Sequence, residues 1–237
     1  MKWTFAALAG ALLAFSTGCI DMDETIALNE DGSGTITVIY TIPYEVMKAD
    51  EKYADLTEEK FLEKAREEAK ADLDGMKIEG FTVDDLTIEK VDEEFLQFTI
   101  SASFENLAVL SKLEVKSAPG MGGGPGPGDG EDKKEQPGIL ARDATLEEVD
   151  GQFVFTQKIR LDKKDKKEED PMSKQIGGLV KGAFAGHKMT FTVVLPKAIE
   201  SAEGAISTEG ESATWQYRMA EVMDLEEIGP MEAKTVK

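Results

Sequence analysis

The sequence predicts an α+β fold: an antiparallel sheet built from hairpins, with one long helix and one or two short helices packed on it. Three observations predict it. Apolar residues alternate on either side of Gly/Asp-rich turns in several places, as half-buried strands require. One stretch, residues 57 to 73, repeats its apolar residues at helical spacing instead. The chain has 237 residues, of which 41% are hydrophobic, enough to bury a sizeable core.

The first element is an export signal. Met1-Lys2 is a short positive segment, Trp3 to Phe15 is apolar, and Ser16-Thr17-Gly18 supplies small residues before Cys19. The apolar run is too short to span a bilayer, which takes ~20 residues. Cys19 is the only cysteine, so it has no disulfide partner within the chain, and a free exported thiol would be a liability in an oxidising compartment. A lone thiol directly after a small-residue cleavage site resembles the lipobox of bacterial lipoproteins, although Ser16 stands where that motif usually has Leu. The resemblance implies cleavage before Cys19 and acylation of it, palmitate being one such acyl group. Two or three acyl chains hold a protein stably on a membrane. Ile20, in place of the Asp that can retain lipoproteins on the inner membrane, leaves the outer membrane open as a destination. Residues 1–18 are therefore expected to be removed, and 19–237 to form a single lipid-anchored domain.

The elements of that domain follow in order. Ile26 and Leu28 alternate before the turn "NEDGSG", and Ile36, Val38, Tyr40 and Ile42 alternate after it, so residues 24 to 42 predict a hairpin ended by Pro43. The turn shares Asn29, Asp31 and Ser33 with the start of a calcium loop. Tyr40 stands where the closing Glu is needed, and a plain turn is predicted. In the helix over 57–73, Phe61, Leu62, Ala65, Ala69 and Leu73 share a face, Asp55 with Glu58 suggests a capping box, and Gly75 follows the end. Strands are expected through about residue 104, then a short apolar helix around Leu107 to Leu113. Residues 117–138 are rich in Gly and Pro without a period and predict a disordered loop.

The second half starts with another hairpin, Leu146 and Val149 before Asp150-Gly151, then Phe153, Phe155 and Ile159. The mixed charge run "DKKDKKEED" at 162–170 reads as a solvated loop. After Pro171, Ser173 is placed to cap a helix over 173–185 whose stripe is Ile176, Leu179, Val180, Ala183 and Phe184. Gly177, Gly178 and Gly182 interrupt it, each at a cost of ~1 kcal/mol relative to Ala. Two readings stay open: a core-covering helix, or a mobile lid over a lipid-sized cavity lined by Leu179, Val180, Phe184 and Phe191.

Met189, Phe191 and Val193 then alternate up to Pro196, a hairpin turns at Glu209-Gly210, and Trp215 and Tyr217 alternate in a final strand. Pro196, Gly204 and Trp215 resemble a motif of the LppM-like bacterial lipoproteins, in which a strand ends in Pro-Gly, an Asn-Gly follows, and a Trp comes after the next turn. Lys197 and Glu203 replace the expected Gly and Asn. The resemblance implies a lipid-anchored α+β domain in the bacterial cell envelope, with an apolar lipid site in part of the family.

Charge and composition narrow the function. The net charge is −20, and loss of residues 1–18 removes only Lys2, leaving −21. Such a surface repels nucleic acid and anionic membrane. His187 is the sole histidine, so no His-rich metal cluster can form, and no Gly-x-Ser-x-Gly elbow is present. The acid pairs Asp84-Asp85, Glu93-Glu94 and Glu147-Glu148 are neighbours in extended segments and so point to opposite faces. The expectation is a protein without enzymatic activity or cofactor. It acts as an interaction or structural module held on the membrane through Cys19, with another envelope protein as partner, or alternatively as a lipid-binding protein.

Overall fold

In a computed structural model, which describes residues 21–48, 53–75, 78–113, 140–161, 182, 184–222 and 224–237, the strands form two sheets. The signal segment with Cys19, the loop 117–138, the charge run 162–170 and most of the helix expected over 173–185 lie outside the described residues.

The chain order is β1 (Asp21–Leu28), β2 (Gly34–Pro43), α1 (Tyr44–Lys48), α2 (Glu58–Asp74), β3 (Phe81–Lys90), β4 (Phe95–Phe104) and a 3-10 helix (Leu107–Lys112). It continues with β5 (Leu140–Val149), β6 (Gln152–Leu161), β7 (Lys188–Val194), β8 (Ile199–Glu203), β9 (Ser207–Glu209), β10 (Ser212–Arg218), α3 (Met219–Val222) and β11 (Glu227–Thr235). The larger sheet has seven strands in the order β3-β4-β2-β1-β7-β10-β9, and the smaller has four in the order β5-β6-β11-β8.

This corrects the α+β expectation of one antiparallel sheet with helices packed on it. Strands make up 54% of the described residues against 20% helix, and a second sheet covers much of the surface that helices were expected to cover. One pairing is also parallel, β1 with β7, in the middle of the larger sheet. Alternation in a sequence tells which residues face inward but not which sheet they face from, so strands that belong to two layers read as one.

The first hairpin forms where its pattern placed it. Its turn is closed by Asn29 N–H donating to the Ser33 carbonyl at 2.8 Å, with Gly32 at φ +80°. The Ser33 hydroxyl and N–H both donate to Asp31, at 2.6 and 3.0 Å, holding that carboxyl below its usual range. A carboxylate satisfied by its own turn is what a plain turn needs. At the next residue, Gly34, a Cβ would come 2.1 Å from the Ala27 carbonyl oxygen and 2.9 Å from the Phe104 ring, so the strand crossing there tolerates no side chain.

Helix α2 buries Phe61 and Ala65, as its stripe required, but the cap differs from expectation. Thr57 is the N-cap, and no side chain caps the first turn. The Asp55–Glu58 capping box does not form because the N-cap, Thr57, falls two residues after Asp55. Phe61 sits edge-on to Tyr44 and Tyr53, at 5.2 and 5.0 Å between centroids, over Ile42, Ile88, Leu96 and Phe98. Farther along the same face of the sheet, Ile36, Ala102 and Phe104 join Met22, Ile26 and Leu28 of β1 in a second, larger core. That core is closed from the other side by Phe155 and Ile159 of β6 and by Ile228, Met231 and Ala233 of β11. Helix α2 therefore covers one end of the large sheet and the small sheet covers the rest.

The opposite face of the large sheet is polar. A row of pairing partners, Ser207, Thr214, Thr192, Thr25, Thr37, Ser101 and Asp85, crosses all seven strands. Thr192 and Thr214 share a hydrogen bond of 3.1 Å along this row. β-Branched hydroxyl residues suit a pleated surface that is wet on one side.

Candidate functional site

Two places in the described structure concentrate polar chemistry, one inside the protein and one at the end where β1 begins. The inner one starts from strand parity. In β1 the inward residues are Met22, Glu24, Ile26 and Leu28; in β6 they are Phe153, Phe155, Gln157 and Ile159. Each stripe thus carries one polar residue at a core position, and Arg142 of β5 is a third, also buried. Glu24 belongs to the large sheet and the other two to the small one.

They meet between the sheets. Arg142 donates from Nη1 to Glu24 Oε1 and from Nη2 to Oε2, both at 2.7 Å, a bidentate pair. Gln157 Nε2 donates to Glu24 Oε1 at 3.3 Å. Arg142 and Glu24 side chains are 3% and 2% exposed, so the pair is out of water's reach. Arg142 Nε is buried without a hydrogen-bond partner among the described residues. Tyr40 stands next to this pair, and its phenol is pushed up to about 12, chiefly by burial and then by the Glu24 charge, with Arg142 acting the other way. Sequence reading missed this cluster, although part of the signal was present: one polar residue, Glu24 in β1 and Gln157 in β6, inside each of two otherwise apolar alternating stripes.

The second place is the start of β1. Asp21 Oδ1 accepts from the Lys188 N–H at 3.0 Å and lies 3.6 Å from His187 Nδ1. His187 is buried, its carbonyl accepts from Met219 N–H at 2.8 Å, and the ring of Phe184 meets it edge-on at 6.1 Å. Among the described residues, no group of three or more His, Cys, Asp or Glu is arranged to hold a metal ion.

The residues expected to line a lipid site fall as follows. Cys19, Leu179 and Val180 lie outside the described residues. Phe184 rests on His187, whereas Phe191 of β7 is buried in the inter-sheet core with its ring 6.0 Å from Tyr217. Of the other phenylalanines, Phe155 shares that core, Phe81 packs at its margin, and Phe98 belongs to the separate cluster under α2. The inter-sheet core is also tied by Trp215 Nε1 of β10 donating to the Glu203 carbonyl of β8 at 2.8 Å, a bond from one sheet to the other.

No protein-family model matches the chain, and no curated protein matches it. Among solved structures it is similar to the folded domain of LppM from Mycobacterium tuberculosis, determined by NMR. That similarity covers 92% of this chain and 89% of that one, at 11% identity and a TM-score of 0.38, a distant structural likeness. No described helix is long and apolar enough to cross a membrane.

Proposed function

We propose that the chain is a bacterial cell-envelope lipoprotein without catalytic activity, cut before Cys19, acylated there, and presenting its folded part as an interaction or structural module. The observation that carries this reading is the order of features at the N-terminus: a basic start, an apolar run, Ser16-Thr17-Gly18, the sole cysteine, and then a core strand beginning at Asp21. An anchor followed at once by a folded unit needs no further chemistry from the thiol. The acidic chain, at −20, speaks against nucleic acid as a partner and against charge attraction to an anionic bilayer, which leaves the acyl anchor as the hold on the membrane.

The module reading is favoured over a lipid carrier by what stands between the sheets. A lipid site needs an apolar cavity with few polar groups. Here the aromatic side chains are divided between two clusters, and a buried Glu24–Arg142 pair with Gln157 bridges the two layers.

Mass spectrometry of protein purified from its native membrane, compared with Cys19→Ser, tests the anchor. The wild type is expected to begin at an acylated Cys19, and the variant to be uncleaved or released in soluble form. A variant processed normally and still membrane-bound after a high-salt wash would overturn the anchor. Saturable binding of a fluorescent lipid by the wild-type protein would overturn the module reading in favour of the lipid carrier.

A further inference from the structure

The pairing register defines one end of the large sheet. Glu89 lies opposite Gln97, Gln97 opposite Thr41, and Thr41 opposite Asp21. On the other side of β1, Asp21 is bonded to Lys188, which pairs with Arg218. Only Ile20 separates Asp21 from Cys19, so the chain between them reaches ~7 Å at most when fully extended. The eight residues of β1 carry its other end, with the turn at 29–33, roughly 25 Å away. An acyl chain on Cys19 can therefore bring only the Asp21 end to a bilayer.

Two exposed apolar side chains stand at that end. Val91 is two residues past Glu89, at the β3–β4 turn, and is 55% exposed; Leu225 follows α3, which continues from Arg218, and is 40% exposed. Exposure alone would not choose this end. Val149 and Val236 are exposed to a similar degree, 48% and 42%, and lie at the opposite one, where Val236 N–H donates to the Ala198 carbonyl and Gln152 donates to the Thr235 carbonyl. The tether decides between them. Acids outnumber bases at this end: Asp92, Glu93 and Glu94 follow Val91, and Asp224, Glu226 and Glu227 flank Leu225, with Lys48, Lys90, Lys188 and Arg218 nearby, so the tether and not charge attraction selects it.

Resting on the anchoring proposed above, we infer that this end is a bilayer-facing surface, with Val91 and Leu225 meeting the lipid interface. The seven-stranded sheet then stands on the membrane with its strands directed away from it, and its hydroxyl-lined face is open to the side.

The test uses the full chain, acylated in its native host and reconstituted into phosphatidylethanolamine–phosphatidylglycerol vesicles containing nitroxide-labelled lipid. Because Cys19 is acylated, Val91→Cys, Leu225→Cys and Val149→Cys each give one site for a fluorescent label. Labels at 91 and 225 are expected to lose emission to the nitroxide lipid, and the label at 149 to keep it. Quenching at 149 equal to or above that at 91 and 225, in protein shown by mass and vesicle flotation to be anchored, would overturn the orientation and leave the anchor standing. Shielding of 91 and 225 from a soluble quencher without quenching by the lipid would assign this end to a protein partner and also overturn it. Protein that is unacylated and does not float would overturn the anchor, and this inference with it.

Discussion

Glu24 and Arg142 are the residues at which stability and specificity separate. Removing two charges from water costs several kcal/mol per ion, which a bidentate pair only roughly offsets. Breaking the pair is a different matter, since Arg142→Met leaves the Glu24 carboxylate buried with only the 3.3 Å bond from Gln157. Arg142→Met alone is expected to lose ~3 to 5 kcal/mol, and the double variant Glu24→Met/Arg142→Met to recover most of it. Urea denaturation midpoints check this, and additive losses would contradict it. Tyr40 gives the pair a pH signature. Below the ordinary tyrosine value of 10.0 the phenol is protonated in both folded and unfolded chains, and pH has no effect through it. Above that value the unfolded chain releases the proton first, so stability falls as pH rises from 10 towards about 12. The full effect is ~2 to 3 kcal/mol. Tyr40→Phe should lose less stability than the wild type across that window, as measured by denaturation at each pH.

The elements divide into those with a local signature and those without. The hairpins at 24–42 and 146–160 and helix α2 carry their period, turn residues and stops within one short stretch, and each forms close to where that stretch placed it. Strand β11 does not. Its inward residues are Ile228, then Met231, Ala233 and Thr235, because a bulge between Ile228 and Met231 breaks the alternation. Gly229 and Pro230 occupy that bulge, and the two residue types that argue most strongly against a strand conceal it. Gly229 has φ +106°, and a Cβ on it would lie 2.7 Å from the Gln157 carbonyl oxygen, so the glycine is required by the bulge rather than by a turn. Strand β8, Ile-Glu-Ser-Ala-Glu, is short and half-polar, and only its neighbours make it a strand. The Glu24–Arg142 pair was hidden for a related reason. Each residue is odd within its own strand, but their meeting joins positions 24 and 142 across two sheets, a distance in sequence that no periodicity spans.

At the scale of the whole molecule, the two sheets depend on each other through few strands. β11 lies between β6 and β8 in the small sheet and supplies Ile228, Met231 and Ala233 to the shared core. Without it β8 loses its pairing, and with β8 goes the Glu203 carbonyl that accepts from Trp215. Loss of large apolar core side chains costs ~2 to 5 kcal/mol each, against a total stability of ~5 to 15 kcal/mol for a domain. A chain ending at Glu226 is therefore expected to lack a cooperative melting transition. Trp215 reports on it directly, since Trp3 is the only other tryptophan and lies in the segment expected to be removed. Its indole is 2% exposed in the intact protein, so the truncated chain should show red-shifted emission and no near-ultraviolet dichroism. If the truncated chain instead kept blue-shifted emission and melted cooperatively, the seven-stranded sheet with α2 would be able to fold without its partner. The inter-sheet core would then stabilise a structure already formed instead of creating it.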